Sequence, residues 1–239
     1  MTGTIQNRDA FLNNIAKNLG RNRLSEPVKR PQWKYNPQAK VLSEATEDEL
    51  VEVLKAHCEK INTTVVTTKK AGLIGALNEA VTNYGGGPVV SWKDERFSKW
   101  GLTDLFRNEW SNQGLDYHEW DHSAGDSNIQ FAEQANVGIT ISEYTLAESA
   151  TVVLLSNKER GRTVSFLPKT YIALVPKSSI VPRMTQAAQK MRKLHLDGKN
   201  IPACINFISG PSNSADIELQ LVVGVHGPFK ATYIIIEDL

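Results

Sequence analysis

The chain is short of cysteine, of long apolar runs and of net charge. Only two cysteines, Cys58 and Cys204, occur in 239 residues, and they form no CxxC pair. A disulfide scaffold is thereby excluded, and two free, buried thiols in a reducing cytoplasm are expected. A cubane iron–sulfur cluster on this chain is excluded as well, because it takes four thiolates. The apolar runs at 152–155, 171–175 and 233–236 span four or five residues, against the ~18 of a membrane helix. The opening residues carry no apolar signal-peptide core. Basic and acidic residues number 27 and 26. Such a balance argues against a dedicated nucleic-acid binder, which carries a basic excess over its whole domain.

What is present is a globular composition, 41% hydrophobic and 22% charged. A chain of this length buries roughly 70% of the surface it exposes unfolded and needs no staple. Residues 1–40 read as an N-terminal helix and arm. Phe11, Ile15 and Leu19 recur at helical spacing over 9–19, and Gly20 stops the helix. Residues 21–40 are basic and proline-punctuated. Trp33 and Tyr35 there either stack on bases or pack on the domain or a partner subunit, and near-zero charge elsewhere favours packing.

Residues 41–239 read as one α/β domain. Thr46 and Glu49 form a capping-box pattern ahead of Leu50, Val53 and Leu54. Strands at 63–68, 88–92, 115–120 and 137–142 alternate with helices at 71–84, 102–112 and 128–135. That alternation predicts an open, mostly parallel sheet with helices on both faces. Apolar runs at 152–155 and 164–167 around the polar loop 156–162 predict an antiparallel hairpin in the C-terminal half. Strands follow at 171–175, 203–209 and 231–236, with a helix from Pro182 to about Leu194.

Several residue groups carry candidate chemistry. His118-Glu119-Trp120-Asp121-His122 matches HExxH, with Glu143 as a possible third ligand. That motif needs a helix, and no helical stripe runs through it, so no metal is expected. Gly85-Gly86-Gly87 follows a helix and precedes a strand, the wrong polarity for a phosphate cradle. Residues Ser209, Gly210, Ser212, Asn213, Ser214 and Asp216 have the right polarity. They follow a strand and are expected to open a helix that either binds an anion or merely caps itself, with Glu218 in its first turn. Glu148 stands among small neighbours before an apolar strand, either solvated or poised in a cleft. Lys158, Arg160 and Arg162 can clamp a carboxylate or phosphate, or stay solvated. His226, between glycines, either moves protons near neutral pH or makes a structural hydrogen bond.

SGPSNSADIE at 209–218, GVHGP at 224–228 and the terminal strand resemble the signature of the lactate utilization protein C family, the LUD-domain proteins. EYTLAESATVVLL at 143–155, Gly161-Arg162 and Phe166-Leu167-Pro168 resemble its upstream segments. Family members often carry an acidic-threonine pair followed by glycine where Glu148-Ser149-Ala150 stands here. The resemblance implies a fold like the ribose-phosphate isomerase and CoA-transferase-like superfamily. It implies a role in oxidising L-lactate to pyruvate, with two iron–sulfur sister proteins, one of the CCG-domain type and one ferredoxin-type. A cleft of Glu148, Ser209 to Asp216 and His226 would then take a small anionic substrate or an organic cofactor. Lys158 or Arg162 would pair with its carboxylate, and His226 would take its hydroxyl proton. Two other readings stay open: a non-catalytic assembly or regulatory subunit, and an independent acyl- or phosphosugar-handling enzyme.

Overall fold

The structure is a computed structural model. It describes residues 5–24, 26, 28–29, 31–217 and 220–239, with the side chains of 215–217 set aside. The chain forms two units, divided between Asn36 and Pro37. In the first, helix α1 (Arg8–Asn18) buries only Ala16. Its apolar stripe, Phe11, Ile15 and Leu19, is exposed. Gly20 adopts φ 64 beyond its end, and Arg21 N–H closes on the Ala16 carbonyl at 3.1 Å. Left-handed backbone of this kind is where glycine is favoured.

The second unit opens with α2 (Glu47–Lys60). The Thr46 hydroxyl accepts from Glu49 N–H, and the Glu49 carboxylate accepts from Thr46 N–H, so the capping box is complete. Leu50, Leu54 and Cys58, four residues apart, turn inward with Val51. Burial pushes the Cys58 thiol up to about 12, which keeps it an unreactive thiol. Cys204 is half-buried rather than buried.

Strands β1 (Thr63–Thr68), β2 (Val89–Ser91), β3 (Tyr117–Glu119) and β4 (Val137–Ile141) follow. Between them lie α3 (Leu73–Asn83), α4 (Glu95–Lys99), a π-helical turn (Leu105–Glu109) leading into α5 (Trp110–Asn112), and α6 (Ser127–Gln134). The remainder contains β5 (Tyr144–Leu146), β6 (Thr151–Leu155), β7 (Thr170–Pro176), β8 (Ile180–Val181) and α7 (Met184–Leu196). It closes with β9 (Ile205–Ser209), β10 (Asn213–Ile217), β11 (Gln220–Val223) and β12 (Lys230–Ile236).

Six strands form the main sheet in the order β1-β12-β7-β4-β2-β3. Every pairing in it is parallel. Each residue of β4 and β7 is buried, so both faces of the sheet are covered, as a parallel sheet requires. The expected open parallel sheet is therefore present, and an antiparallel hairpin lies in the C-terminal half, but not where the apolar runs place it. β6 pairs with β5 on one side and β9 on the other. Residues Arg162–Ser165 form a 3-10 turn. The reason is tertiary. The Val164 carbonyl passes so close over Gly138 on β4 that any Cβ there would collide with it.

One feature of the strand order positions the chemistry. From β2 the chain runs outward to its neighbour β3. From β4 it leaves the other way, through β5 and β6, to its neighbour β7. The connections that leave the carboxyl ends of the adjacent parallel strands β2 and β4 thus run in opposite directions. A crevice opens at such a divergence, and ligands of open α/β sheets bind there.

Candidate functional site

Four residues singled out from the sequence meet. Ser209, Gly210, Ser212 and His226 line a cleft of about 230 Å3 together with Phe166, Tyr171 and Phe207. It lies at the amino ends of β7 and β12, where Phe229 N–H donates to the Lys169 carbonyl at 2.9 Å. Ser212 N–H donates to the Pro228 carbonyl at 2.8 Å, and Gly224 N–H to the Ser212 carbonyl at 2.9 Å. The motifs at 209–218 and 224–228 are thereby tied together. Among the described residues no Lys or Arg lines this cleft.

The other sequence candidates lie elsewhere. Among the described residues, no helix follows Gly210. Asn213 and Ser214 open β10, which pairs antiparallel with β11 through Asn213↔Val223 and Ser214↔Val222. The β-branched Val222 and Val223 favour that strand, so the serines and Asn213 cap no helix, and Asn213 Nδ2 donates to the Pro211 carbonyl at 2.9 Å. Asp216 lies on β10 with its side chain outside the described set, and Glu218 falls outside the described residues. Glu148 pairs with Arg183 at 2.6 Å. Lys158 is exposed, and its carbonyl accepts from Trp120 Nε1 at 2.9 Å. Arg162 is exposed at the start of the 3-10 turn. The HExxH string lies on β3 and the loop beyond, not on a helix. There His118 Nε2 bonds Asn128 Oδ1 at 2.9 Å, and His122 Nδ1 faces Glu159 at 3.2 Å.

Behind the amino-end cleft, the Tyr233 hydroxyl ties three segments together. It accepts from Gly210 N–H at 2.9 Å and approaches the carbonyls of Ala150 and Ile208 at 3.2 Å. Burial drives its phenol well above the ordinary range, so it stays a neutral donor. Ala150 holds φ 48, a left-handed backbone conformation that favours glycine. Gly210 itself admits no side chain, since an added Cβ would stand 2.6 Å from Thr63 Oγ1. Tyr233→Phe strands the buried Gly210 N–H. We expect it to lower stability by about 1–3 kcal/mol, measured by urea unfolding. An unchanged midpoint would show the hydroxyl to be dispensable.

The strongest electrostatic feature lies at the opposite edge, in the β2–β4 crevice. Asp94, three residues past β2, has a side chain 0% exposed. Its Oδ1 accepts from Arg96 N–H and Arg96 Nε, both at 3.0 Å. Its Oδ2 takes Arg96 Nη2 at 2.8 Å and Arg160 Nη2 at 2.9 Å. Glu143, just past β4, receives both guanidiniums on Oε1, that of Arg160 at 2.7 Å. Burial alone would raise the Asp94 carboxyl. Hydrogen bonds from Arg96 and the charges of Arg96 and Arg160 outweigh it and hold the group below its ordinary value. Burial likewise disfavours the Arg96 cation, but Asp94 and Glu143 more than restore it.

The loop after β6 delivers Arg160 and is fastened over this edge. Trp92 Nε1 donates to the Gly161 carbonyl at 2.8 Å, and Lys93 N–H to the Glu159 carbonyl at 3.1 Å. The Arg160 guanidinium stands 5.8 Å over the Trp92 ring, within cation–π reach. From the sequence, Arg160 is one of three loop cations and Glu143 a candidate metal ligand. Asp94 and Arg96 carry no motif. The usable signal is positional, since both carboxylates follow immediately on strands of an alternating α/β series.

Known proteins agree with this architecture. Residues 40–236 match the LUD domain model. "Lactate utilization protein C" of Geobacillus sp. (strain WCH70) is 58% identical over 237 residues, covering 99% of this chain and 98% of that protein. The protein of the same name from Bacillus subtilis (strain 168) is 56% identical over 236 residues, covering 99% and 98%. A DUF162 family protein from Deinococcus radiodurans shares the fold with a TM-score of 0.53 at 16% identity, covering 80% of this chain and 99% of that one. The chain belongs to the LUD domain family.

Proposed function

We propose that this chain serves lactate utilization, as a component of a system that oxidises L-lactate to pyruvate. The observation that carries the reading is the end-to-end match, at 56–58% identity, to proteins called lactate utilization protein C. Oxidation of lactate to pyruvate releases two electrons and two protons. With two cysteines the chain is short of the thiolates of a cubane cluster. The resemblance implies that the electrons pass to iron–sulfur sister proteins, of the CCG-domain and ferredoxin types.

Two places can take a small anion. The amino-end cleft offers His226 and hydroxyls without a Lys or Arg, whereas the carboxyl-end crevice offers fixed guanidiniums. We place the carboxylate at the latter, since guanidiniums make the stronger, charge-assisted bonds. Deleting the gene is expected to abolish growth on L-lactate while growth on glucose continues, and the tagged chain, recovered from lactate-grown cells, is expected to reduce a dye when lactate is added. Undiminished growth on lactate would overturn the reading.

A second reading is an assembly subunit without chemistry of its own. It is favoured by the exposed Phe11, Leu19, Trp33 and Tyr35 of the first unit, since exposed apolar groups mark contact surfaces when they cluster. Glu143→Gln separates the two readings, since an assembly subunit keeps its turnover without that carboxylate.

A further inference from the structure

We propose that the amino-end cleft binds an uncharged, planar ring that carries a hydrogen-bonding edge. The cleft measures about 230 Å3. An apolar cavity of ~150 Å3 already admits benzene, so a single substituted ring fits here.

The walls call for a ring. Phe166 and Phe207 line the cleft, yet they remain 41% and 39% exposed. Neither packs on another aromatic ring among the described residues. Ile208 and Pro228 add apolar surface beside them. Aromatic side chains without an aromatic partner gain most from a flat π-system, stacked or edge-on.

The lack of charge calls for a neutral ligand. Among the described residues, no Lys, Arg, Asp or Glu lines the cleft. Lys169 and Lys230 adjoin it in the chain, and neither lines it. An ionised ligand would give up water here with no counter-charge to meet.

The polar lining calls for a hydrogen-bonding edge. Ser165, Tyr171, Ser209, Ser212 and His226 supply its polar side chains, and three of them are already engaged. The Ser165 hydroxyl donates to the Arg162 carbonyl at 2.9 Å. The Tyr171 hydroxyl shares a hydrogen bond with Thr140 at 2.6 Å, and the Ser209 hydroxyl one with Thr151 at 2.7 Å. The Ser212 hydroxyl and the His226 ring make no hydrogen bond among the described residues. A hydroxyl and an imidazole can each donate or accept. Together they match the N–H and C=O of an amide edge.

The frame is close-fitting. A Cβ added to Gly227 would stand 3.2 Å from Ser212 Cβ and 3.5 Å from the Phe166 carbonyl oxygen. The turn that carries His226 therefore seats its backbone directly on both walls. A frame formed in advance spares the ligand the cost of ordering it. Lactate has no ring and carries a charge, so this cleft and the carboxyl-end crevice take different molecules.

The test is an NMR titration of the isotope-labelled full chain with benzamide, sodium benzoate, cyclohexanecarboxamide and sodium L-lactate in turn. The buffer is held at about pH 8, above the ordinary histidine range. Benzamide is expected to shift the amides of Gly210, Ser212, His226 and Gly227 saturably. Benzoate, the same ring with a carboxylate, is expected to bind about tenfold more weakly or worse. Cyclohexanecarboxamide, the same amide on a puckered ring, is expected to bind about threefold more weakly or worse. L-Lactate is expected to leave these amides in place. Phe207→Val keeps a strand-favouring residue and is expected to weaken benzamide by about threefold to tenfold. Ser212→Ala is expected to weaken it by about threefold, and decides the matter should Phe207→Val fail to fold. No saturable shift with benzamide, or shifts confined to another site, would overturn the proposal. So would benzoate, cyclohexanecarboxamide or lactate binding here as tightly as benzamide, or unchanged affinity in either folded variant.

Discussion

Asp94→Ala is expected to lower the stability of the folded chain by about 3–5 kcal/mol, the range for breaking a buried ion pair by removing one partner. The size follows from the geometry. The Asp94 side chain is 0% exposed and faces two guanidiniums at 2.8 and 2.9 Å. Its removal leaves Glu143 alone to neutralise both. It also strips the cap from α4, since Asp94 Oδ1 accepts from Arg96 N–H at 3.0 Å. Asp94→Asn keeps an acceptor for that N–H and loses only the charge, so it should fall between wild type and alanine. Urea unfolding at neutral pH measures the series. The pH dependence carries a sign. The Asp94 carboxyl is depressed in the fold, so the unfolded chain takes up its proton first as pH falls. The contribution is complete above the ordinary carboxylate value near pH 4 and is lost as pH drops from there through the lower folded-state value. The gap between wild type and Asp94→Ala should therefore be constant from pH 7 to about 5 and narrow below about 4. A gap that widens on acidification would show that the network does not hold Asp94 ionised.

How much of this is legible in the sequence depends on how local each cause is. Helix α2 is legible because its cap and its stripe, Thr46 with Glu49 and Leu50 with Leu54 and Cys58, lie within one segment. The strands β4, β7 and β12 are legible because buried parallel strands are nearly continuous apolar runs. The partner of β6 is not. Residues 164–167 are as apolar as a strand, yet the close pass of Val164 over Gly138 denies them one, and that contact joins distant segments. The strand at 213–217 replaces an expected helix because its fate is decided by pairing with β11. The amino-end cleft is half legible. Its motifs stand out as strings, and the backbone bonds from Ser212 to Pro228 and from Gly224 to Ser212 bring them together. Glu148, Lys158 and Arg162 stand out equally, and the fold sends them elsewhere. The carboxyl-edge network is the least legible. Asp94, Arg96, Glu143 and Arg160 come from three separate segments, and what unites them is the order β4-β2 in the sheet.

Glu143→Gln is expected to cut lactate-dependent dye reduction by about 100-fold, the lower range for removing a group that takes a proton in the reaction. The substitution is nearly isosteric. Glutamine presents its carbonyl oxygen to Arg96 and Arg160 and so keeps the bonds that organise the edge. What it loses is the negative charge. Under the proposed function, that carboxylate accepts the hydroxyl hydrogen and takes the proton as lactate becomes pyruvate. An amide can do neither well. Under the proposed function, the Cα hydrogen leaves as a proton to solvent and the two electrons go one at a time to the iron–sulfur partners, so those partners should co-purify with the variant as with the wild type. Thermal melting confirms that the variant is folded, and the reduction of dye by the recovered complex reads the chemistry. Wild-type turnover in Glu143→Gln, with partners still bound, would remove the carboxyl edge from the reaction and favour the assembly reading. Wild-type turnover there together with loss in His226→Ala would instead move the substrate to the amino-end cleft, where the imidazole is the group able to take the hydroxyl proton.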